Sequence, residues 1–158
     1  MIDRRLFVTR LVGLAALGVT SRPLWAELPA LANGPTSITI YKSSTCGCCT
    51  KWVDHIRAGG FSTVVHDEEE MEKLKDQLGV PGSVRSCHTA QVDGYLIEGH
   101  VPSADIRRLL AERPKVAGLA VPEMPPLTPG MAPAGVEPQD FEVVSFQSDG
   151  TTRTFARH

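Results

Sequence analysis

Apolar residues change period several times along this chain, and each change marks an element. Residues 37–41 (SITIY) alternate, as a strand with one buried face must. From about 48 to 58 the apolar positions Trp52, Val53 and Ile56 fall at helical spacing, and Gly59-Gly60 ends that helix. Residues 61–66 return to a strand pattern. Residues 68–78 are helical again, with Met71, Leu74 and Leu78 on one face and acids at the start, where the helix dipole favours them. Gly79-Val80-Pro81-Gly82 stops that helix. Short strand runs at 89–92 and 95–98 flank Asp93-Gly94, a tight-turn pair, and predict a hairpin. Ser103 opens a third helix that buries Ile106, Leu109 and Leu110 and ends before Pro114.

The order β-α-β-α-β-β-α predicts an α/β fold with the thioredoxin-like arrangement, a mixed sheet carrying helices on its faces. The first strand leads through a short loop directly into the first helix. Beyond Pro114 the pattern fades. Residues 114–138 hold seven of the twelve prolines and two of the four methionines, which predicts an extended loop without a core of its own. Residues 141–146 and 151–155 then flank Ser148-Asp149-Gly150 as a terminal β-hairpin. No internal repeat is visible.

The N-terminal segment follows different rules. Arg4-Arg5 precede a short apolar run at 11–20, too short to span a bilayer, and Ala30-Leu31-Ala32 offers a small-residue cleavage site. Residues 1–32 therefore read as an export signal, and residues 3–8 as an imperfect twin-arginine signal. Three divisions follow: the signal at 1–32, a thioredoxin-like domain at 33–113, and a Pro/Met-rich loop plus hairpin at 114–158 packed on the same domain. The expected location is the periplasm, with no membrane attachment after cleavage. Composition agrees with one globular core: 42% hydrophobic, 22% charged. The net charge is -2, and no basic stripe is interleaved with aromatics, so nucleic acid is not an expected partner.

The chemistry sits in the loop between the first strand and the first helix. Cys46-Gly47-Cys48-Cys49 places three of the four cysteines within four positions. Thiolates are redox nucleophiles and soft metal ligands. In an exported protein the default for paired cysteines is a disulfide, but so tight a cluster gains little loop entropy by cross-linking. Cys46 and Cys49 have the spacing of a redox dithiol at a helix N-terminus, where a thiolate is favoured. Cys48 is superfluous for thiol exchange and useful to a metal. The predicted fold brings Cys87, in Arg85-Ser86-Cys87-His88-Thr89, to face Cys46 and Cys49 from the loop before the third strand. Three cysteines in four residues suit one tetrahedral zinc poorly. They suit bridging thiolates and Cu(I), which accepts few, soft ligands. His100 and the loop thioethers of Met124 and Met131 are further candidate donors. Alternation turns His88 away from Cys87, and His55 falls near the polar face of its helix. Three readings stand: a copper site, a thiol-disulfide oxidoreductase using Cys46 and Cys49, and a disulfide-only module.

Taken together, residues 41–49, 84–90 and 95–102 and the loop from Met124 to Met131 resemble the CopG-type family of periplasmic copper-resistance proteins. The resemblance covers about residues 36–158. It implies a thioredoxin-like fold and a multinuclear copper site bridged by cysteines at positions matching Cys46, Cys48, Cys49 and Cys87. It also implies a role in copper tolerance, with interconversion of Cu(I) and Cu(II). The expected partners are metal ions and other periplasmic copper-handling proteins. The chain departs from the family at Pro125-Pro126-Leu127-Thr128-Pro129, where a segment containing Gly and Ser is common.

Overall fold

The computed structural model describes residues 34–158, which form one compact unit, Gly34–His158. The expected export signal lies outside the described residues.

Seven strands form one mixed sheet. In chain order these are β1 (Ser37–Lys42), β2 (Ser62–Asp67), β3 (His88–Val92), β4 (Tyr95–Glu98), β5 (Gly118–Ala120), β6 (Glu142–Phe146) and β7 (Thr152–Arg157). Their spatial order is β2-β1-β3-β4-β5-β6-β7. β1 runs parallel to β2 and antiparallel to β3, so the two chemistry-bearing loops, after β1 and before β3, open at the same end of the sheet. Three α-helices accompany it: α1 (Gly47–Ala58), α2 (Met71–Leu78) and α3 (Ser103–Glu112). A short 3-10 helix at Gly82–Val84 follows α2.

Strand alternation divides the buried side chains between the two faces. On one, Trp52, Val53 and Ile56 of α1 and Ile106 and Leu109 of α3 pack against Ile38, Ile40, Ala90, Ile97 and Leu119. On the other, Val80 and Val84 pack with Ala120 and Phe146. Trp52 belongs to the larger core, fully buried, with its indole N–H donating to Val101 O at 2.9 Å.

Two details differ from the sequence reading. The stretch 114–138, expected to be loop throughout, contributes β5. This three-residue strand pairs parallel to β4 and antiparallel to β6, and so welds the terminal hairpin into the main sheet. It is too short and too uniformly apolar to alternate, and its partners define it. The second helix begins at Met71 rather than 68, and its most buried side chain is Lys75, with Met71, Leu74 and Leu78 only half-buried.

Candidate metal centre

β1 ends at Lys42, and Cys46 then caps α1. Its backbone N–H donates to Ser43 O at 3.1 Å, and its Sγ accepts from the Cys49 N–H at 3.3 Å. A sulfur in this position sits at the positive end of the helix. Cys46 and Cys49 are joined in a disulfide, with their Cα atoms 5.3 Å apart. Cys48, in the first turn of α1, is a free thiol whose Sγ lies 3.5 Å from Cys46 Sγ.

Cys87 reaches this cluster from the segment just before β3. A buried ionic network fixes that segment. Glu98 on β4, wholly buried, accepts from the Ser86 backbone N–H at 2.6 Å and from Thr89 Oγ1 at 2.7 Å. Lys75 of α2 donates to Glu98 and, at 2.8 Å, to Thr89 Oγ1. Cys87 is thus held between two residues that both bond Glu98. Burial pushes the Glu98 carboxyl above its ordinary value even though Lys75 opposes the shift. Two buried charges need each other and these extra hydrogen bonds to offset their desolvation.

Burial, and then the facing Cys48, push the Cys87 thiol up to about 11. Two histidines contact the same sulfur. His100 Nδ1 donates to Pro129 O at 2.7 Å, which fixes the tautomer and leaves the Nε2 lone pair facing Cys87 Sγ at 3.1 Å. His88 Nδ1 lies 3.3 Å from Cys87 Sγ. The His88 ring is fully buried, with its centroid 4.3 Å from that of Trp52 and 5.1 Å from that of His100. Its Nε2 has no hydrogen-bond partner among the described residues. Desolvation lowers the pKa of both rings, that of His88 strongly, so both are neutral imidazoles with a lone pair to offer.

The Pro-rich segment closes against α1. Gly130 has φ +85°, and a Cβ there would lie 2.7 Å from Trp52 N and 3.0 Å from Cys48 O. Only glycine permits that approach. Met131, half-buried, follows it directly. Met124 lies on a turn in which Glu123 and Met124 both have positive φ, and its side chain is 44% exposed.

The ligand atoms of Cys46, Cys48, Cys49 and Cys87 all lie within 4.8 Å of one another, as do those of Cys87, His88 and His100. With the disulfide reduced, this donor set is four sulfurs and two neutral imidazoles, and neither group contains a carboxylate. That composition suits soft or borderline transition metals and does not suit magnesium or calcium.

The sequence predicts that the four cysteines converge with His100 as a further donor; the structure gathers the four sulfurs and puts His100 Nε2 beside that of Cys87. The sequence pattern sets His88 aside, and there the structure differs. Strand alternation separates neighbours only inside a strand, and Cys87 precedes β3, so it and His88 meet at one point. The Lys75–Glu98 network was also missed, because the two residues lie 23 positions apart and neither belongs to a motif. His55, expected to be solvated, is half-buried and accepts the Ser103 backbone N–H at 3.0 Å, capping α3.

Two solved structures, forms 1 and 2 of a protein described as "Copper resistance protein copG", match the chain at 41% identity. Each match covers 78% of this chain and 98% of the matched chain, with a TM-score of 0.71. Residues 84–131 match the family described as "Protein of unknown function, DUF411". That window takes in Cys87, His88, Glu98, His100, Met124 and Met131. No curated protein matches the chain.

Proposed function

This chain belongs to the CopG copper resistance protein family, and on that premise we propose that it handles copper by binding Cu(I) at its cysteine cluster. In this reading the thiolates of Cys46, Cys48, Cys49 and Cys87 hold more than one ion, with individual sulfurs bridging neighbouring ions. His100 supplies an imidazole, and Met124 and Met131 supply thioethers from the Pro-rich loop. Copper is the cargo, and the protein acts after export to the periplasm, among other copper-handling proteins. The observation that carries the reading is the convergence of four sulfurs within 4.8 Å from two separate parts of the chain. A single thiol-exchange site needs two of them.

Thiols must lose their protons to ligate, so copper affinity falls with falling pH. Redox interconversion fits the same residues. Two Cu(II) ions can each take one electron from the Cys46 and Cys49 thiolates, giving two Cu(I) and the disulfide. A Cys87→Ser variant tests the site. The reduced variant should lose most of the copper that the reduced wild type holds, and unchanged stoichiometry would remove the fourth thiol from the ligand set.

The Cys46–Cys49 disulfide at the start of α1 favours a second reading, a thiol-disulfide oxidoreductase. Insulin reduction by the metal-free protein separates the two. Robust turnover supports the oxidoreductase, and turnover at the level of a Cys46→Ser control supports copper binding.

A further inference from the structure

The Cys46–Cys49 disulfide removes two sulfurs from any thiolate site, because a disulfide sulfur carries no thiolate charge. It leaves Cys48 and Cys87 as free thiols. They come from different elements, the first turn of α1 and the segment before β3, and both are half-buried. Their Sγ atoms fall within the 4.8 Å limit of the cluster. Two metal–sulfur bonds of about 2.3 Å, the length of a zinc–thiolate bond, span about 4.6 Å when nearly collinear. The two sulfurs lie within that span, so one ion can bridge them with a bent or nearly linear sulfur–metal–sulfur arrangement, and a soft monovalent ion tolerates so low a coordination number.

The surroundings favour such an ion. Cys48 lies in the first turn of α1, where the helix dipole offsets the net negative charge of a bis-thiolate complex. His100 Nε2, with its lone pair free and 3.1 Å from Cys87 Sγ, is available as a third donor. On the other side of Cys48, the backbone packs against Gly130, so the loop covers this turn of the helix.

We propose that the disulfide form of this protein retains a site for one Cu(I) between Cys48 and Cys87, and that reduction of Cys46–Cys49 opens the remainder of the site. Capacity for copper is then set by the thiol redox state of the compartment. The gating step is ordinary exchange. An external dithiol is oxidised to its disulfide, Cys46–Cys49 is reduced to two thiols, and the two protons pass to the new thiols. Loading of the one-ion site involves no electron transfer; Cu(I) displaces the protons of Cys48 and Cys87. The inference rests on the copper-binding reading above and adds a state to it.

The test uses the full chain under anaerobic conditions, in a disulfide form verified by mass spectrometry and a form reduced with dithiothreitol that is then removed. Each is titrated with Cu(I) in competition with a chromogenic Cu(I) chelator. The disulfide form should reach its endpoint at one Cu(I) per chain, and the reduced form at more than one. In the disulfide form, Cys48→Ser and Cys87→Ser should each lose that endpoint. The double variant Cys46→Ser/Cys49→Ser, which has no disulfide to form at these positions, should keep one Cu(I), which shows the one-ion site intact whatever the single variants do to folding. Copper binding by the reduced form alone would overturn this inference and leave the copper-binding reading standing. Binding by neither form would overturn both. An endpoint in the disulfide form that survives Cys48→Ser would also overturn the proposed ligand pair.

Discussion

A thiol pushed up to about 11 is protonated at neutral pH, and this is the condition of Cys87 in the metal-free protein. The shift has two sources in the structure, burial and then Cys48. Alkylation reports it directly, because only the thiolate reacts. The rate of iodoacetamide labelling at Cys87, followed by mass spectrometry, should still be rising above pH 10, and a plateau below pH 9 would contradict the assigned environment. Gly130 makes a second demand at single-residue scale. Its φ of +85° costs a residue with a Cβ about 1–2 kcal/mol, before any displacement of Trp52 N and Cys48 O. Gly130→Ala should therefore lower the midpoint of thermal unfolding and push the loop away from the first turn of α1. The spacing of the cysteines was legible in the sequence because Cys46, Cys48 and Cys49 are neighbours. The condition of Cys87 was not, because burial and a facing thiol 39 positions away set it.

Elements deliver these residues, and two cross-connections do most of the positioning. The first is the buried Lys75–Glu98 pair, which ties α2 to β4 and, through Ser86 and Thr89, fixes the Cys87 segment. Glu98→Ala leaves the Lys75 charge buried without a partner and should cost about 3–5 kcal/mol in denaturant unfolding. The double variant Lys75→Met/Glu98→Leu removes both charges and should recover much of that loss. Equal losses in the single and double variants would mean that the pair acts through shape and not through charge. The second connection is His55, whose Nε2 caps α3. Burial, and then Arg107, hold its pKa below the ordinary value, so the fold prefers the neutral ring. Its contribution is complete above the unfolded value of about 6.5 and is lost as pH falls through the lower folded value. Stability should therefore drop on acidification below pH 6.5, and His55→Asn should lessen that drop, the remainder coming from the buried His88 and His100. An unchanged profile would assign the loss elsewhere. Helical spacing put His55 on the polar side of α1, but periodicity within one helix says nothing of the α3 N-terminus that packs beside it. Lys75 escaped notice in the same way, since only its partner on β4 makes its burial tolerable.

For the whole molecule, the order β-α-β-α-β-β-α could be read from alternating periods, because those elements carry their own apolar faces. β5 could not. Gly118–Ala120 is a strand only because β4 and β6 flank it, and that pairing turns an apparent tail into part of a seven-stranded sheet. The sheet brings the loop after β1 and the loop before β3 to one end. The Pro-rich segment returns to the same place through Pro129, which holds His100, and Gly130, which meets Cys48. Three distant parts of the chain thus converge on one group of sulfurs and imidazoles. The copper-binding account is tested most directly by elemental analysis of the full chain, reduced anaerobically, offered Cu(I) and zinc together, and desalted. It predicts more than one copper per chain and no retained zinc. One zinc per chain with no copper would contradict it.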